Sequence, residues 1–244
     1  MRASLLLLPI VALAACRSAP PPPPKLIVWA WERPEDLRFA GPDIEVAALT
    51  GFLEISATGL SARGRRLPLK VSRPPDIAVV HVEILDGAPV DWTPALRRQV
   101  SATVLHYAQV VTARRVQLDF EVKASERQML LDVVGDVRRA LPRGTFLSMT
   151  ALASWCETET WLNAAPVDEI VPMLFRMQPR GEAIKERLAK GGDLRNPRCR
   201  AALGVSTDSS IERAPPGRRV YLFNPGSWTV DDFRKAERGV AAWR

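Results

Sequence analysis

Two carboxylates two residues apart, Asp119 and Glu121, are the part of the chain best suited to chemistry. They sit in the run Val116-Gln-Leu-Asp-Phe-Glu121, which alternates in character. Gln117, Asp119 and Glu121 fall on one side of an extended chain, and Val116, Leu118 and Phe120 on the other. Alternate Cα atoms on a strand are roughly 6–7 Å apart. Cleavage of a glycosidic bond needs two carboxyl groups separated by about 5–10 Å, one protonated and one ionised. Like charge is one way to keep a proton on such a group. Glu121 is therefore the expected acid/base, with Asp119 tuning it. Glu83 on the run Ile77-Ala-Val-Val-His-Val-Glu-Ile84, or Glu32 after Leu26-Ile-Val-Trp-Ala-Trp31, supplies a partner carboxylate. His81 shares a side with Glu83. Arg176 is expected to hold an anionic or hydroxyl-rich group, and Asn224 joins it as a substrate-binding candidate. Trp31, Trp155 and Trp228 fall at or just past strand ends, where exposed indoles would stack on sugar faces; tryptophans of the core or anchoring loops are the equal alternative. The plainer alternative is a buried ion network of Asp119, Glu121, His81 and Arg176 that fills a polar interior.

Other chemistries have less support. Apart from Cys16 there are two cysteines, Cys156 and Cys199, expected to form a disulfide in an exported domain. Two histidines and two cysteines at wide spacing show no metal-ligand pattern. No Walker or dinucleotide motif is present, so no cofactor is expected. His106 lies off the apolar stripe of its helix and reads as a surface residue.

The elements that must position these groups begin after a leader. Arg2 and the apolar run 5–15 form an export signal too short to span a membrane. It ends Leu13-Ala-Ala-Cys16, which resembles a bacterial lipobox, so residues 1–16 are expected to be a lipoprotein signal with acylated Cys16 at the mature start. A membrane is then a partner through that lipid. Arg17, by resemblance to Gram-negative lipoproteins, favours the periplasmic face of the outer membrane. Residues 17–25 contain five consecutive prolines, a stiff polyproline II spacer.

Residues 26–244 read as one domain. Strands are expected at 26–31, 44–56, 77–84, 116–121, 145–153, 167–177, 201–206 and 220–224. One helical turn is expected at 34–39. A Gly- and Arg-rich turn at 59–66 leads to a return strand at 67–72, a hairpin inserted after the second strand. Helices are expected at 93–113, capped by Thr93 with Pro94 in the first turn, and from a Ser125–Gln128 capping box to Leu141. Further helices are expected at 157–163, 179–190 and 230–243. Eight strands, most followed by a crossover, are what an α/β (β/α)8 TIM-type barrel needs. A doubly wound open sheet is the competitor and lacks a Gly-rich phosphate turn. In the barrel the polar side of 116–121 points into the lumen, and Glu121 stands at the carboxyl rim.

The length of 244 residues, 47% apolar content and mixed charge suit one globular domain. The net charge of +7 is spread over scattered Arg pairs such as Arg65-Arg66 and Arg138-Arg139. That pattern reads as a solvated basic surface, with no nucleic-acid motif. A monomer is expected.

The runs Gln117-Leu-Asp-Phe-Glu121, Leu147-Ser-Met-Thr-Ala-Leu-Ala-Ser-Trp-Cys156 and Val167-Asp-Glu-Ile-Val-Pro-Met-Leu-Phe-Arg-Met177 together resemble an uncharacterised family of bacterial lipoproteins, a domain of unknown function with a glycosidase-like barrel. Leu203-Gly-Val-Ser-Thr-Asp208 and Tyr221-Leu-Phe-Asn-Pro225 extend the resemblance over nearly the whole body. It implies the barrel and an envelope location, and brings no established activity. A more distant resemblance is to chitinase-like barrels, whose fourth strand carries alternating carboxylates ending in a Glu acid and whose sixth carries Met-x-Tyr-Asp. Asp119 and Glu121 match the alternation. Lys123 falls where the acid would come if those two take the Asp positions. Met173-Leu-Phe-Arg176 keeps the Met and an aromatic and has Arg in place of the final Asp. The expected function is a lipid-anchored hydrolase or transferase acting on an envelope or extracellular polysaccharide. The alternative is a barrel without activity that binds glycan or an envelope protein.

Overall fold

Eight strands of the main sheet form a ring in which each has a neighbour on both sides, because the sheet closes on itself. The computed structural model describes residues 25–177, 181–209 and 211–243. The export signal, Cys16 and the proline-rich linker lie outside the described residues. In chain order the strands are β1 (Leu26–Ala30), β2 (Glu35–Asp36), β3 (Glu45–Ser56), β4 (Gly59–Gly64), β5 (Leu69–Lys70) and β6 (Ile77–Ile84). They continue with β7 (Arg115–Glu121), β8 (Phe146–Leu152), β9 (Glu169–Met173), β10 (Ala202–Ser206) and β11 (Arg219–Phe223). The α-helices are α1 (Pro94–Ala108), α2 (Arg127–Ala140), α3 (Trp155–Thr158), α4 (Gly181–Ala189) and α5 (Val230–Ala241). Around the ring the order is β1, β3, β6, β7, β8, β9, β10, β11 and back to β1, with every pairing parallel. This is a closed eight-stranded α/β barrel of the TIM type, with the β3–β4 hairpin inserted after its second strand.

Alternation divides each strand between two cores. Val116, Leu118 and Phe120 of β7 face outwards and pack in the layer that also holds Leu130, Val133, Val134 and Val137 of α2. Inside the ring, Ile27, Trp29, Leu49, Ile77, Val79 and Tyr221 form a separate apolar plug. Below the plug, at the amino end, charges are paired. Lys25 and Arg115 both bind Glu45. Glu169 accepts from Arg219 Nε (2.6 Å) and from the Tyr221 hydroxyl (2.8 Å). Burial and the neighbouring Glu169 carboxylate push the Tyr221 phenol far up, so it stays a donor.

Local rules account for the helix starts. Thr93 caps α1 by accepting from Leu96 N–H (3.2 Å), with Pro94 at its first position. The helix ends at Ala108, so Val111 of the expected stripe lies beyond it. Before α2 the cap differs from the expected Ser125–Gln128 box. Glu126 reaches back to Lys123 N–H (2.7 Å), and a 3-10 turn, Ala124–Glu126, precedes the helix.

Four further expectations are corrected. Residues 34–39 hold no helical turn. Instead β2 pairs in parallel with β5, with Glu35 N–H on Pro68 O (2.9 Å) and Leu37 N–H on Lys70 O (2.8 Å). The hairpin return strand is β4, not 67–72, because Gly59 at φ +121 permits a turn two residues long between Ser56 and Gly59. β9 ends at Met173, and the chain then takes a left-handed conformation at Arg176, φ 52. The segment 157–163 splits into α3 and a 3-10 turn, Trp161–Ala164.

Cys156 of α3 and Cys199 of the 3-10 turn Pro197–Cys199 form a disulfide, S–S 2.10 Å. Arg198 beside it donates to the carbonyls of Asn163 (2.9 Å), Ala165 (2.9 Å) and Val167 (2.8 Å). Together they tie the loop after β8 to the loop before β10.

Glu169 is fully buried, and its removal leaves the Arg219 guanidinium and the Tyr221 hydroxyl without their acceptor. Glu169→Ala is expected to cost about 3 kcal/mol of unfolding free energy, measured by urea denaturation. A loss under about 1 kcal/mol, the scale of an exposed pair, would show that the base cluster is not needed to close the barrel.

Candidate functional site at the carboxyl mouth

Register sets the mouth. On the neighbouring strands β6 and β7, His81 faces Asp119 and, one level up, Glu83 faces Glu121. Adjacent strands are ~4.8 Å apart, so each pair is in reach across the lumen wall. Asp119 is buried and both its oxygens are engaged. Oδ2 meets His81 Nδ1 at 2.8 Å, and Oδ1 accepts from Thr150 Oγ1 at 2.7 Å. These two bonds fix its orientation, which makes it a positioning group.

His81 is held edge-on by aromatic rings. Trp31 lies 5.1 Å from it between centroids and Phe52 5.4 Å. A bulge in β3 between Leu49 and Gly51 brings Phe52 opposite His81. Burial disfavours a charged ring, but the Asp119 hydrogen bond and the Asp119, Glu121 and Glu83 charges outweigh it. The His81 pKa is raised above its ordinary value. Nδ1 is committed to Asp119, which leaves Nε2 as the ring nitrogen without a hydrogen bond among the described residues.

Glu121 is the last inward side chain of β7. Neither it nor Glu83 forms a hydrogen bond or ion pair among the described residues. Glu121 opens to solvent, yet its flanks are walled by the cavity. Desolvation and then the Asp119 charge raise its pKa, His81 opposes them, Glu83 adds to the rise, and Arg176 opposes it. The result is a carboxyl that holds its proton to higher pH than usual.

A cavity of about 410 Å³ opens beside this pair. Glu83, Asp119, Glu121 and Lys123 line one side, and Leu152, Trp155, Met173 and Phe175 the other, with Arg176 at the edge. Lys123 lies beyond the strand end, where its exposed amine binds Asp86.

The remaining sequence candidates divide. Arg176 and Trp155 reach the cavity, although Trp155 is buried and packs edge-to-face on Trp161. Trp31 instead tops an aromatic column with Trp29, Phe52 and His81. Glu32, Asn224 and Trp228 are not brought to the cavity, and each holds loop structure. Glu32 accepts from Arg63 (2.8 Å) and from the backbone N–H of Arg66 (2.6 Å) and Leu67 (3.1 Å). Burial pushes its pKa up, but these bonds outweigh that and hold it below the ordinary range. Asn224 accepts from the Thr207 hydroxyl, donates to Ser227 O (3.2 Å), and offers its own backbone carbonyl to Arg33 (3.0 Å). Trp228 is buried, with its indole N–H on Trp29 O (3.1 Å) and its backbone N–H on Glu35 (2.8 Å). An indole so placed has no open face for a sugar.

Thr150, Phe175, Leu152 and Phe223 were not among the candidates. For Thr150 a signal existed: it alternates with Ser148 on β8 as Asp119 does with Gln117 on β7. Among the described residues no group of three or more His, Cys, Asp or Glu side chains is arranged to hold a metal ion.

No family model matches the chain, and no curated protein or solved structure matches it. Fold and mouth define its class: a closed TIM-like barrel with a carboxylate cluster at the carboxyl rim.

The raised pKa of His81 gives a pH signature. A raised folded pKa contributes stability that is fully present below the unfolded value, about 6.5, and lost as pH rises through the folded value. The wild type is therefore expected to exceed His81→Gln in unfolding free energy by more at pH 5.5 than at pH 9. A difference independent of pH, in paired denaturant titrations, would mean that folding leaves the His81 pKa unchanged.

Proposed function

We propose that the protein is a lipid-anchored glycoside hydrolase, or a transferase of the same chemistry, acting on a cell-envelope or extracellular polysaccharide. The observation that carries this reading is the facing pair Glu83 and Glu121, without partners among the described residues, at the edge of the cavity, with the pKa of Glu121 raised. In hydrolysis Glu121 gives its proton to the glycosidic oxygen as the bond to the anomeric carbon breaks. Glu83 stabilises the positive charge that develops on the sugar, and water adds to the anomeric carbon, supplying the new hydroxyl and returning a proton to Glu121. A sugar hydroxyl in place of that water gives transfer. Asp119, fixed by His81 and Thr150, keeps negative charge beneath Glu121 without reacting.

The motif resemblance to glycosidase-like bacterial lipoproteins supports the same reading. So does the lipobox-like Leu13-Ala-Ala-Cys16. Acylated Cys16 would hold the barrel at the periplasmic face of the outer membrane, with the proline run as a spacer. A second reading, a barrel that binds glycan without cleaving it, is favoured by Arg176 standing where distant chitinase-like barrels keep an acid.

The test is incubation of the full chain and its Glu121→Gln variant with envelope and extracellular polysaccharides, with products read by mass spectrometry. Wild-type products are expected, reduced about 10²–10⁴-fold in the variant. Wild-type rate should fall as pH rises through the raised pKa of Glu121, where it loses the proton it must donate. Equal activity of the two proteins would remove Glu121 as the acid. No products, with ligand-dependent stabilisation of both proteins, would favour the second reading.

A further inference from the structure

Across the mouth from the carboxylates, the rim is basic and aromatic. Arg33, from the loop after β1, has its guanidinium carbon 5.7 Å from the centroid of the Phe223 ring. Arg176, from the loop after β9, has its own at 5.9 Å from the same ring. Phe223 lies parallel to Phe175, with centroids 5.2 Å apart and planes at 2°. Phe175 and Arg176 both line the cavity that Glu121 and Glu83 border. Arg33 is oriented by its bond to Asn224 O (3.0 Å), and neither arginine has a carboxylate partner among the described residues.

The backbone adds an independent sign. Arg176 is the non-glycine residue with positive φ, 52°, among those described. That conformation is unfavourable for a side chain bearing Cβ, and residues held in it cluster at ligand-binding sites. Here it puts a guanidinium on the cavity wall where a glycine would fit the turn with less strain.

We propose that Arg176 and Arg33, flanking Phe223, form an oxyanion subsite that selects a uronic-acid-containing saccharide. This rests on the glycan-cleaving reading above and names its substrate class. A guanidinium binds a carboxylate through two parallel N–H donors. The carboxylate of a uronic acid sits on C5, next to the ring oxygen that also bonds the anomeric carbon. Anchoring it at the arginines therefore orients the anomeric carbon toward the carboxylates across the cavity. The apolar face of the sugar ring rests on Phe175. A phosphate ester presents the same oxyanion chemistry, so the test separates the two.

Titration calorimetry is run on the full chain carrying Glu121→Gln, which blocks turnover. The probes are trigalacturonate, neutral galactotriose, galactose 6-phosphate and inorganic phosphate. Trigalacturonate is expected to bind about tenfold or more tightly than galactotriose, the scale of one charge-assisted hydrogen bond. Adding Arg176→Gln is expected to remove that gap, Arg33→Gln to narrow it, and Arg176→Lys to restore part of it. Arg176→Gly is expected to abolish the preference while raising the thermal unfolding midpoint, which a merely structural arginine would not do. Equal affinity for acidic and neutral sugars overturns the proposal, as does a gap that survives Arg176→Gln, or no binding of trigalacturonate. Tighter binding of galactose 6-phosphate than of trigalacturonate overturns the uronic-acid assignment. Trigalacturonate bound with preference but left uncleaved by the wild type removes the hydrolase reading and keeps the subsite. Cleavage of a neutral polysaccharide, with no acidic preference in binding, does the reverse.

Discussion

The pairing of β1 with both β3 and β11 is the contact on which the rest depends. β1 has only five residues, yet it joins the start of the ring to its end. Without it the sheet would have two open edges, each a row of unpaired backbone groups. Closure also decides what alternation means. Once the ring is shut, every second residue is committed to the lumen and the others to the helical layer. The lumen then stratifies. Paired charges lie at the amino end, apolar side chains in the middle, and the His81–Asp119 pair with its free carboxylates at the mouth.

Within the mouth, satisfied and unsatisfied groups have different roles. Asp119 is fixed by two hydrogen bonds and cannot turn. Glu83 and Glu121 have no such bonds among the described residues and border the cavity. Holding Glu121 there carries a stability cost. Its raised pKa means that its favourable contribution is present below the ordinary carboxylate value of 4.5 and is lost as pH rises through the folded value. A residue kept against stability at a concave mouth is the pattern expected of a functional group.

The parts of this arrangement that were legible in the sequence are local ones. The alternation of Gln117, Asp119 and Glu121 depends only on strand geometry, and the structure places all three on the lumen side of β7. The apolar face of α2 was legible for the same reason. What failed depended on distant partners. Residues 34–39 suggest a helical turn by themselves, but β5 more than thirty residues later gives them strand partners. Trp228 at a strand end suggests a rim platform, but its indole is bound to Trp29 across 199 residues of chain. Arg33 and Phe223 gave no signal at all, because only ring closure brings the first and last barrel strands side by side.

The sealed base has a consequence for traffic. Among the described residues, Glu45 and Glu169 with their basic partners stopper one end, and the apolar plug fills the ring above them. A polymer cannot be threaded through such a ring; it must lie over the opening like a rope across a well. Whatever occupies the cavity leaves by the door through which it came. A molecule still seated there excludes its successor, so residence time at the mouth sets the upper limit on how often the site can be used.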